Sequence, residues 1–573
     1  MQQSHYQALN LIKTKYAKNV DCIHIDPPYN TDTSGFLYKN NYKHSSWLSF
    51  MESRIQESMK CLKEKGLFFT HIDENEYEVL FLLNKNLGLV NCGTMIWDKR
   101  NPMNGGSGLA LQHEYILVNS NGERNLEVTT PNMLLILNKA EELIKKNKGI
   151  VNDVLRKQFS SWINKNESLT GGEKAFKYID DHGLVYQSVS LRAPEYRKDP
   201  KFHIPLKHPI TGKDCPVPPN GFSRKPETLM DLINKNEILF GKDETIQPRL
   251  KTILTKDTTK QPTSVYQDAK KGKADLEGMK LEFPYCHPIS NYEYLIKIGV
   301  VKEGTVLDYF AGSGTTAHAT IALNREDNGN RKYILVEQGE YFDTVIKPRI
   351  QKVVYSSDWK DGKPTNPESG ISHCLKVVKL ESYEDTLNNL ELVRKGAQQT
   401  LLAEQQTSTK PEDQNAYSDY LMHYMLELES KDSLLNVKDF LKPFSYQMNI
   451  TTDSAGAFER KNIDLVETFN YLIGLNVQEA DYQLDKGYVQ ITGKLRTGEY
   501  TTVLWRDCEK IGYAELDQLL AKLKINPNDG EYQLIYINGD HNVASKYTTK
   551  EGEEKQLKVR SIEQTFLKNM FEE

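Results

Sequence analysis

The stretch Val20-Asp21-Cys22-Ile23-His24-Ile25-Asp26-Pro27-Pro28-Tyr29 decides the fold. Its first six residues are a short, largely apolar run, the pattern of a strand buried in a parallel sheet. The run ends in an acid and two prolines, which supply no N–H and fix the turn. Open α/β sheets place ligands at the carboxyl ends of their strands, so this turn is a candidate site. Working outward, Trp47, Phe50, Met51, Ile55, Met59 and Leu62 recur at helical spacing, and Gly66 closes that helix. Residues 67–72 (LFFTHI) read as the next strand and residues 74–84 as another helix. Residues 94–97 (TMIW) and 115–118 (YILV) read as two further strands. Strand and helix in alternation imply a mostly parallel sheet with helices on both faces.

The same rhythm returns at Gly304. Residues 306–310 read as a strand, residues 315–324 as a helix, and residues 333–337 as a strand ending in Glu337. Between the first two lies Asp308-Tyr309-Phe310-Ala311-Gly312-Ser313-Gly314-Thr315-Thr316, a glycine loop in the context that ligand loops need. Two glycines let backbone approach a ligand, and Asp308 puts a carboxylate near a cationic ligand group. Glu337 stands 29 residues beyond Asp308, where an acid can accept from ribose hydroxyls. The loop lacks the third glycine of a dinucleotide fingerprint and the Gly-Lys-Ser/Thr of a P-loop, which disfavours both alternatives.

Asp26-Pro27-Pro28-Tyr29 suits one kind of chemistry. An exocyclic amine conjugated with its ring is a poor nucleophile, because its lone pair is delocalised. A carboxylate (Asp26) and a backbone carbonyl (Pro27) that accept its two N–H bonds favour a more tetrahedral nitrogen. An aromatic ring at Tyr29 can stack on a base rotated out of a duplex. The plain alternative is a strand-ending Pro-Pro turn with an incidental Asp and Tyr; the second motif in the same chain argues against it.

The chain has 573 residues, enough for about three to four domains, with 38% hydrophobic and 26% charged residues. Seven scattered cysteines, none spaced as C-x-x-C, argue against a disulfide framework or a zinc site and fit a reducing cytoplasm. No signal peptide or membrane span is legible. The net charge of −5 does not announce a nucleic-acid binder, but phosphate contacts depend on a local groove. Between residues 99 and 282 the βα rhythm breaks, giving an inserted domain at about 121–282 between two α/β parts, 1–120 with the Asp-Pro-Pro-Tyr turn and 283–370 with the glycine loop. Residues 371–415 read as a helical linker, polar from about 398, and 416–573 as a separate α/β unit with strands near 488–492, 500–505 and 532–538. There is no internal repeat. His71 and His113 read as structural histidines, and Trp47 and Trp97 as core aromatics. Residues 192–207, with Arg192, Arg197, Lys198, Lys201 and His203, read either as DNA-backbone contacts or as a solvated surface, as do Arg224, Lys225 and Lys242. No His/Cys/Asp group shows metal spacing, so no metal is expected.

Residues 26–31 (DPPYNT) followed by residues 308–316 (DYFAGSGTT) resemble the β, or permuted, class of amino-methyltransferases, in which the catalytic motif precedes the cofactor motif. The runs WLSFMESR at 47–54, HIDE at 71–74, QHEYIL at 112–117, HPITGK at 208–213 and PRI at 348–350 are similar to the modification subunits of type III restriction–modification systems. The resemblance implies a Rossmann-like S-adenosylmethionine-dependent fold with an inserted target-recognition domain and a mixed α/β C-terminal domain. It implies methylation of adenine N6 in double-stranded DNA, a two-copy assembly and a separate restriction or helicase subunit. It places the target base at Asp26, Pro27, Pro28 and Tyr29, and the cofactor at Asp308, Phe310, Gly312, Gly314, Thr315 and Glu337. Where the family has a Lys-Pro segment, this chain has His287-Pro288. Ser4 and His5 stand where an acid and an Asn are expected, which reads as a shortened N-terminus or a weakened cofactor site. Two rivals remain: N4-cytosine methylation by the same geometry, and a non-catalytic DNA-binding or scaffold subunit of a restriction or phage-defence complex.

Overall fold

The computed structural model describes residues 5–31, 43–103, 109–129, 131–256, 258–270, 272–300, 302–382, 385–386, 389, 435–452, 457–525, 531–541, 543, 546–548, 554–556 and 558–571. By contacts the chain forms two compact units: Met1–Arg124 with Thr263–Glu573, and Asn125–Pro262.

The first unit is built on a seven-stranded sheet. Its order is Asn330–Leu335, Glu303–Asp308, Val20–Ile25, Leu62–Ile72, Leu111–Ser120, Val90–Met103 and Val265–Gln267. The first four strands are parallel; Leu111–Ser120 runs antiparallel to both neighbours, and Val265–Gln267 parallel to Val90–Met103. Strand alternation sorts the faces. Ile23 and Ile25 point into a core with Ala8, Leu9 and Ile12 of the His5–Tyr16 helix and Trp47, Met51 and Ile55 of the His44–Cys61 helix. Cys22 and His24 point the other way, toward the Ile289–Gly299 helix. That helix packs so close that a Cβ on Gly299 would lie 2.8 Å from the Cys22 sulfur.

Three expectations change here. The helix after the first motif ends at Cys61 rather than at Gly66, because Leu62 is already extended and pairs with Val20. Gly66 lies inside the following strand, where a Cβ would sit 2.6 Å from Leu62 Cδ1. The inserted unit ends at Pro262 rather than at 282, since Val265–Gln267 rejoins the sheet and Leu276, Met279 and Phe283 pack with Ile321, Leu335 and Ile350. Residues 371–382 of the expected helical linker carry no helix, and 391–434, which include the expected start at 416, lie outside the described residues.

The unit Asn125–Pro262 packs the helices Pro131–Lys146 and Asp153–Lys165 through Ile136, Ala140, Leu155, Phe159 and Ile163. Beside them is an antiparallel sheet of Tyr178–Ile179, Val185–Ser190, Arg249–Ile253 and Ile238–Leu239.

The C-terminal part of the first unit is a five-stranded sheet in the order Asn476–Gln483, Tyr488–Lys494, Tyr500–Arg506, Leu534–Ile537 and Lys558–Ser561. Both its faces are covered. Val503, Trp505, Leu534 and Tyr536 meet Phe469 and Phe566 of the helices Leu465–Leu472 and Ile562–Phe571. Leu504, Ile535 and Ile537 meet Leu516 and Leu519 of the helix Tyr513–Lys522. Among the described residues no helix is long and apolar enough to cross a membrane.

Phe469 is fully buried, with its ring 5.7 Å from Trp505 and 5.8 Å from Phe566. Phe469→Ala should therefore destabilise this part by about 3–5 kcal/mol. Chemical denaturation followed by Trp505-sensitive fluorescence should show an earlier transition, and an unchanged midpoint would contradict this packing.

Candidate active site

Two loops meet at the carboxyl ends of adjacent strands. The strand carrying Asp26 pairs in parallel with the strand carrying Asp308, Cys22 opposite Val306 and Ile23 opposite Leu307. The expected target and cofactor motifs therefore emerge side by side, one strand spacing of about 4.8 Å apart.

The Asp26-Pro27-Pro28-Tyr29 turn is held by neighbours. Trp47 Nε1 donates to the Pro28 carbonyl at 2.9 Å, so the buried Trp47 is both core and clamp. Asn30, at φ 59°, donates to the buried Glu76 at 2.7 Å, and His44 meets the same carboxylate oxygen at 2.9 Å. Asp26 keeps about a third of its side chain accessible, and its Oδ2 lies 3.4 Å from His287 Nδ1. The other nitrogen of His287, Nε2, lies 3.3 Å from Glu114 Oε2. Glu114 also accepts from Lys99 and, at 3.5 Å, from the Tyr29 hydroxyl.

The charges order themselves accordingly. Desolvation raises the Asp26 carboxyl above its ordinary value, and Glu114 adds to the rise while His287 opposes it. Burial would also raise Glu114, but His287 and Lys99 outweigh it and hold that carboxyl at about 2. Burial works against charge on His287, yet Asp26 and Glu114 raise it above the ordinary imidazole value. Behind this trio, His24 and His71 are fully buried with their Nε2 atoms 2.8 Å apart, and desolvation lowers both. The Trp97 ring stands edge-on to His287 at 4.8 Å, and its Nε1 donates to the Asp268 carbonyl.

The second loop is tied by its own acids. Asp308, 2% exposed, accepts from Phe310 N at 3.0 Å and Thr316 Oγ1 at 2.5 Å. Glu337, buried, accepts from Gly312 N at 2.8 Å, and from Gln338 N and Gly339 N. Gly312 and Gly314 sit at φ 51° and 83°, a region that other residues enter at a cost, and a Cβ on Gly312 would meet nothing nearer than 3.9 Å. Phe310 packs under the ring of His5, with centroids 4.4 Å apart. Thr315 opens the Thr315–Asp327 helix, and its hydroxyl accepts from Arg349 Nη1 at 3.0 Å. Arg349 is fully buried and also donates to the Ser313 carbonyl and hydroxyl; its Nη2 has no hydrogen-bond partner.

Nine of the ten expected site residues thus fall on two neighbouring loops or at the helix start that follows the second, and Glu337, after the next strand Asn330–Leu335, is joined to them through Gly312 N. The sequence does not reveal Glu114, Lys99, His24, His287 and Arg349 as parts of them; only the 112–117 and 348–350 similarities and the His-Pro departure pointed near. His71, read as structural, is buried in the same cluster. His71, Glu114 and His287 place one donor atom each within 4.8 Å of one another, a group that no linear spacing betrays. His113 stacks edge-on against Tyr115 instead. In the inserted unit, Arg192, Arg197, Lys198, Arg224, Lys225 and Lys242 are exposed, and Lys201 pairs with Asp199 at 2.7 Å. A cavity of about 550 Å³ in that unit is lined by Arg156, Lys157, Lys165 and Lys177, with Tyr178 and Tyr186 stacked at 5.4 Å.

The acid-Pro-Pro-aromatic turn and the glycine loop thus stand on adjacent parallel strands, with the turn first in the chain, the order expected of the permuted class. Residues 20–347 match the N6_N4_Mtase family, described as DNA methylase, and the chain belongs to that family. The Escherichia coli type III restriction-modification enzyme EcoP15I Mod subunit is 29% identical over 378 residues, covering 58% of this chain and 57% of that one. The StyLTI Mod subunit of Salmonella typhimurium is 28% identical over 443 residues, 67% and 61% of the two chains. Type II methyltransferase M.KpnI of Klebsiella pneumoniae is 25% identical over 344 residues, 56% and 75%. The chain thus spans about three fifths of the length of the two Mod subunits. Among solved structures, M1.HpyAVI aligns over 61% of this chain and 96% of its own at 13% identity, TM-score 0.29. PvuII DNA methyltransferase (cytosine-N4-specific) aligns over 60% and 87% at 11% identity, TM-score 0.31.

Asp308 offers a pH test. Desolvation pushes its carboxyl from 3.8 to about 7, with Asp26 and Glu337 adding to the rise. A carboxyl raised on folding costs nothing below its unfolded value and its full amount above its folded one, so this cost grows from about pH 4 to 7. Asp308→Asn should therefore favour the folded state more at pH 8 than at pH 5, by ~2–4 °C in Tm per kcal/mol. The pH-independent loss of loop hydrogen bonds cancels in that difference. Equal shifts at the two pH values in thermal unfolding of the ligand-free protein would contradict it.

Proposed function

We propose that this chain methylates N6 of an adenine rotated out of double-stranded DNA, as the modification subunit of a type III restriction–modification system. The observation that carries the reading is the adjacency of the Asp26 turn and the glycine loop on paired parallel strands. The family membership and the similarity to Mod subunits support it.

The residues fit the cofactor that the family implies. Gly312 and Gly314 open space for a ligand against backbone, Phe310 offers an apolar wall, Glu337 is the acid that would accept from ribose hydroxyls, and Asp308 is a buried carboxylate that a nearby cation would keep ionised. When bound, S-adenosylmethionine supplies a methyl group on a positively charged sulfur. The chain's own residues do the rest. Asp26 and the Pro27 carbonyl accept the two amine N–H bonds and turn the nitrogen lone pair out of conjugation. Tyr29 offers its ring to the base. The methylated nitrogen is cationic and must lose a proton, and Asp26, whose carboxyl holds protons better than an exposed one, takes it before releasing it to water. Exposed Arg and Lys in the inserted unit, with its basic cavity, supply phosphate contacts. A two-copy assembly, a separate restriction subunit and a cytoplasmic location belong to the same reading.

Asp26→Ala should lower methyl transfer by roughly 10²–10⁴-fold while leaving S-adenosylmethionine binding intact. Nucleoside digestion with mass spectrometry reports the product, and calorimetry the binding. N4-methylcytosine as the product would overturn the choice of base. Undiminished transfer by the variant would overturn the mechanism, and no cofactor binding by the wild type would favour a scaffold.

A further inference from the structure

The transfer chemistry leaves three clustered histidines unused. His71 closes the Leu62–Ile72 strand and is fully buried. Its Nε2 is occupied by His24 at 2.8 Å, while its Nδ1 is buried with no hydrogen-bond partner. His287 turns Nδ1 to Asp26 and Nε2 to Glu114. Glu114 gives one oxygen to Lys99 and presents the other to His287. The His71 and His287 rings lie 4.8 Å apart, and one donor atom from each of His71, Glu114 and His287 lies within 4.8 Å of the others.

We propose that His71, Glu114 and His287 form a binding site for a borderline-soft transition dication of the Zn²⁺ class, and that its occupancy blocks the target-base pocket. Two imidazoles and a carboxylate are a donor set that Zn²⁺ takes with one position open, at about 2.0–2.2 Å. Nitrogen donors select against Mg²⁺ and Ca²⁺. Both histidines already have the outer partner that ligating imidazoles need: His24 behind His71, and Asp26 behind His287. Those bond lengths bring ligand atoms to about 3.4 Å from each other in a tetrahedral site; His287 Nε2 and Glu114 Oε2 already stand 3.3 Å apart, so binding chiefly draws His71 toward that pair. A cation there takes the Glu114 oxygen that now accepts from the Tyr29 hydroxyl, engages Asp26 as the outer partner of His287, and sets positive charge beside the turn where the base must enter. Excess transition metal would then act as a reversible brake. The binding half of the proposal stands by itself, and the inhibitory half rests on the methyl-transfer reading.

Calorimetric titration of the full chain with zinc chloride separates the two. The wild type should take up one equivalent that His71→Gln and His287→Asn each lose, with circular dichroism checking that the variants remain folded. His24→Asn should weaken uptake by about 10–100-fold as an outer-partner change. Co²⁺ in place of Zn²⁺ should give visible absorption bands that disappear in the same variants. No uptake by the wild type, or equal uptake by His71→Gln and His287→Asn, overturns the site. Methyl transfer by the wild type should fall with added Zn²⁺ and recover with EDTA; binding without inhibition overturns the brake. A chain that binds Zn²⁺ but transfers no methyl in its absence refutes the methyl-transfer reading and with it the brake, and leaves the site standing.

Discussion

The structure depends on the parallel pairing of two strands some 280 residues apart in the chain. Val20–Ile25 and Glu303–Asp308 share only a short register, yet that register sets two loops beside one another. It is reinforced where the strands begin, because Asp21 accepts from Thr305 N at 2.9 Å and from Lys63 at 2.7 Å. Gly304 sits at φ 143°, where a Cβ would collide with the Asp21 carboxylate. Without this pairing each motif would be an isolated loop. With it, the proposed target loop and the proposed cofactor loop lie side by side.

The site concentrates buried charge, and every acid has a stated partner. Asp308 and Glu337 spend their oxygens on backbone and hydroxyl donors of the glycine loop. Glu114 is balanced by Lys99 and His287. Of these four acids Asp26 alone keeps substantial exposure, with one imidazole beside it. Unpaired buried carboxylates are costly, and of these four acids only Asp26 is left partly open to solvent. At the glycine loop Arg349, a guanidinium with no access to water, ties Ser313 and Thr315 together.

How much of this was legible follows from the range of each interaction. Local patterns were enough for the strands near Val20 and Val306, since a β-branched run followed by Pro-Pro or Gly-x-Gly carries its own start and stop. Gly66 misled because a close approach to Leu62 demands a glycine in a strand just as a helix end does. The end of the inserted unit was invisible because Val265–Gln267 is three residues long and earns its place only by pairing with Ile96, Trp97 and Asp98. Within the site, the residues carried by contiguous motifs could be read. Glu114, His71, His24 and Lys99 lie on separate strands, and their association is a product of register, which composition and spacing do not encode.

His287 shows what such register adds to chemistry. The resemblance sets a lysine before the proline at this position, and an ammonium concentrates its donors at one point on a flexible stem. Imidazole is rigid and carries its two nitrogens on different edges of one ring. Here one edge meets Asp26 from the first strand and the other meets Glu114 from the antiparallel part of the sheet. A single side chain therefore connects the target turn to the far strands and fixes both carboxylates at once. The ring also packs between His71 and Trp97, so its plane is set by aromatic contacts as well as by charge. That replacement exchanges reach for orientation, and it explains why the cluster of His24, His71 and Tyr292 lies directly behind it: a planar bridging group needs a flat, buried wall to stand against.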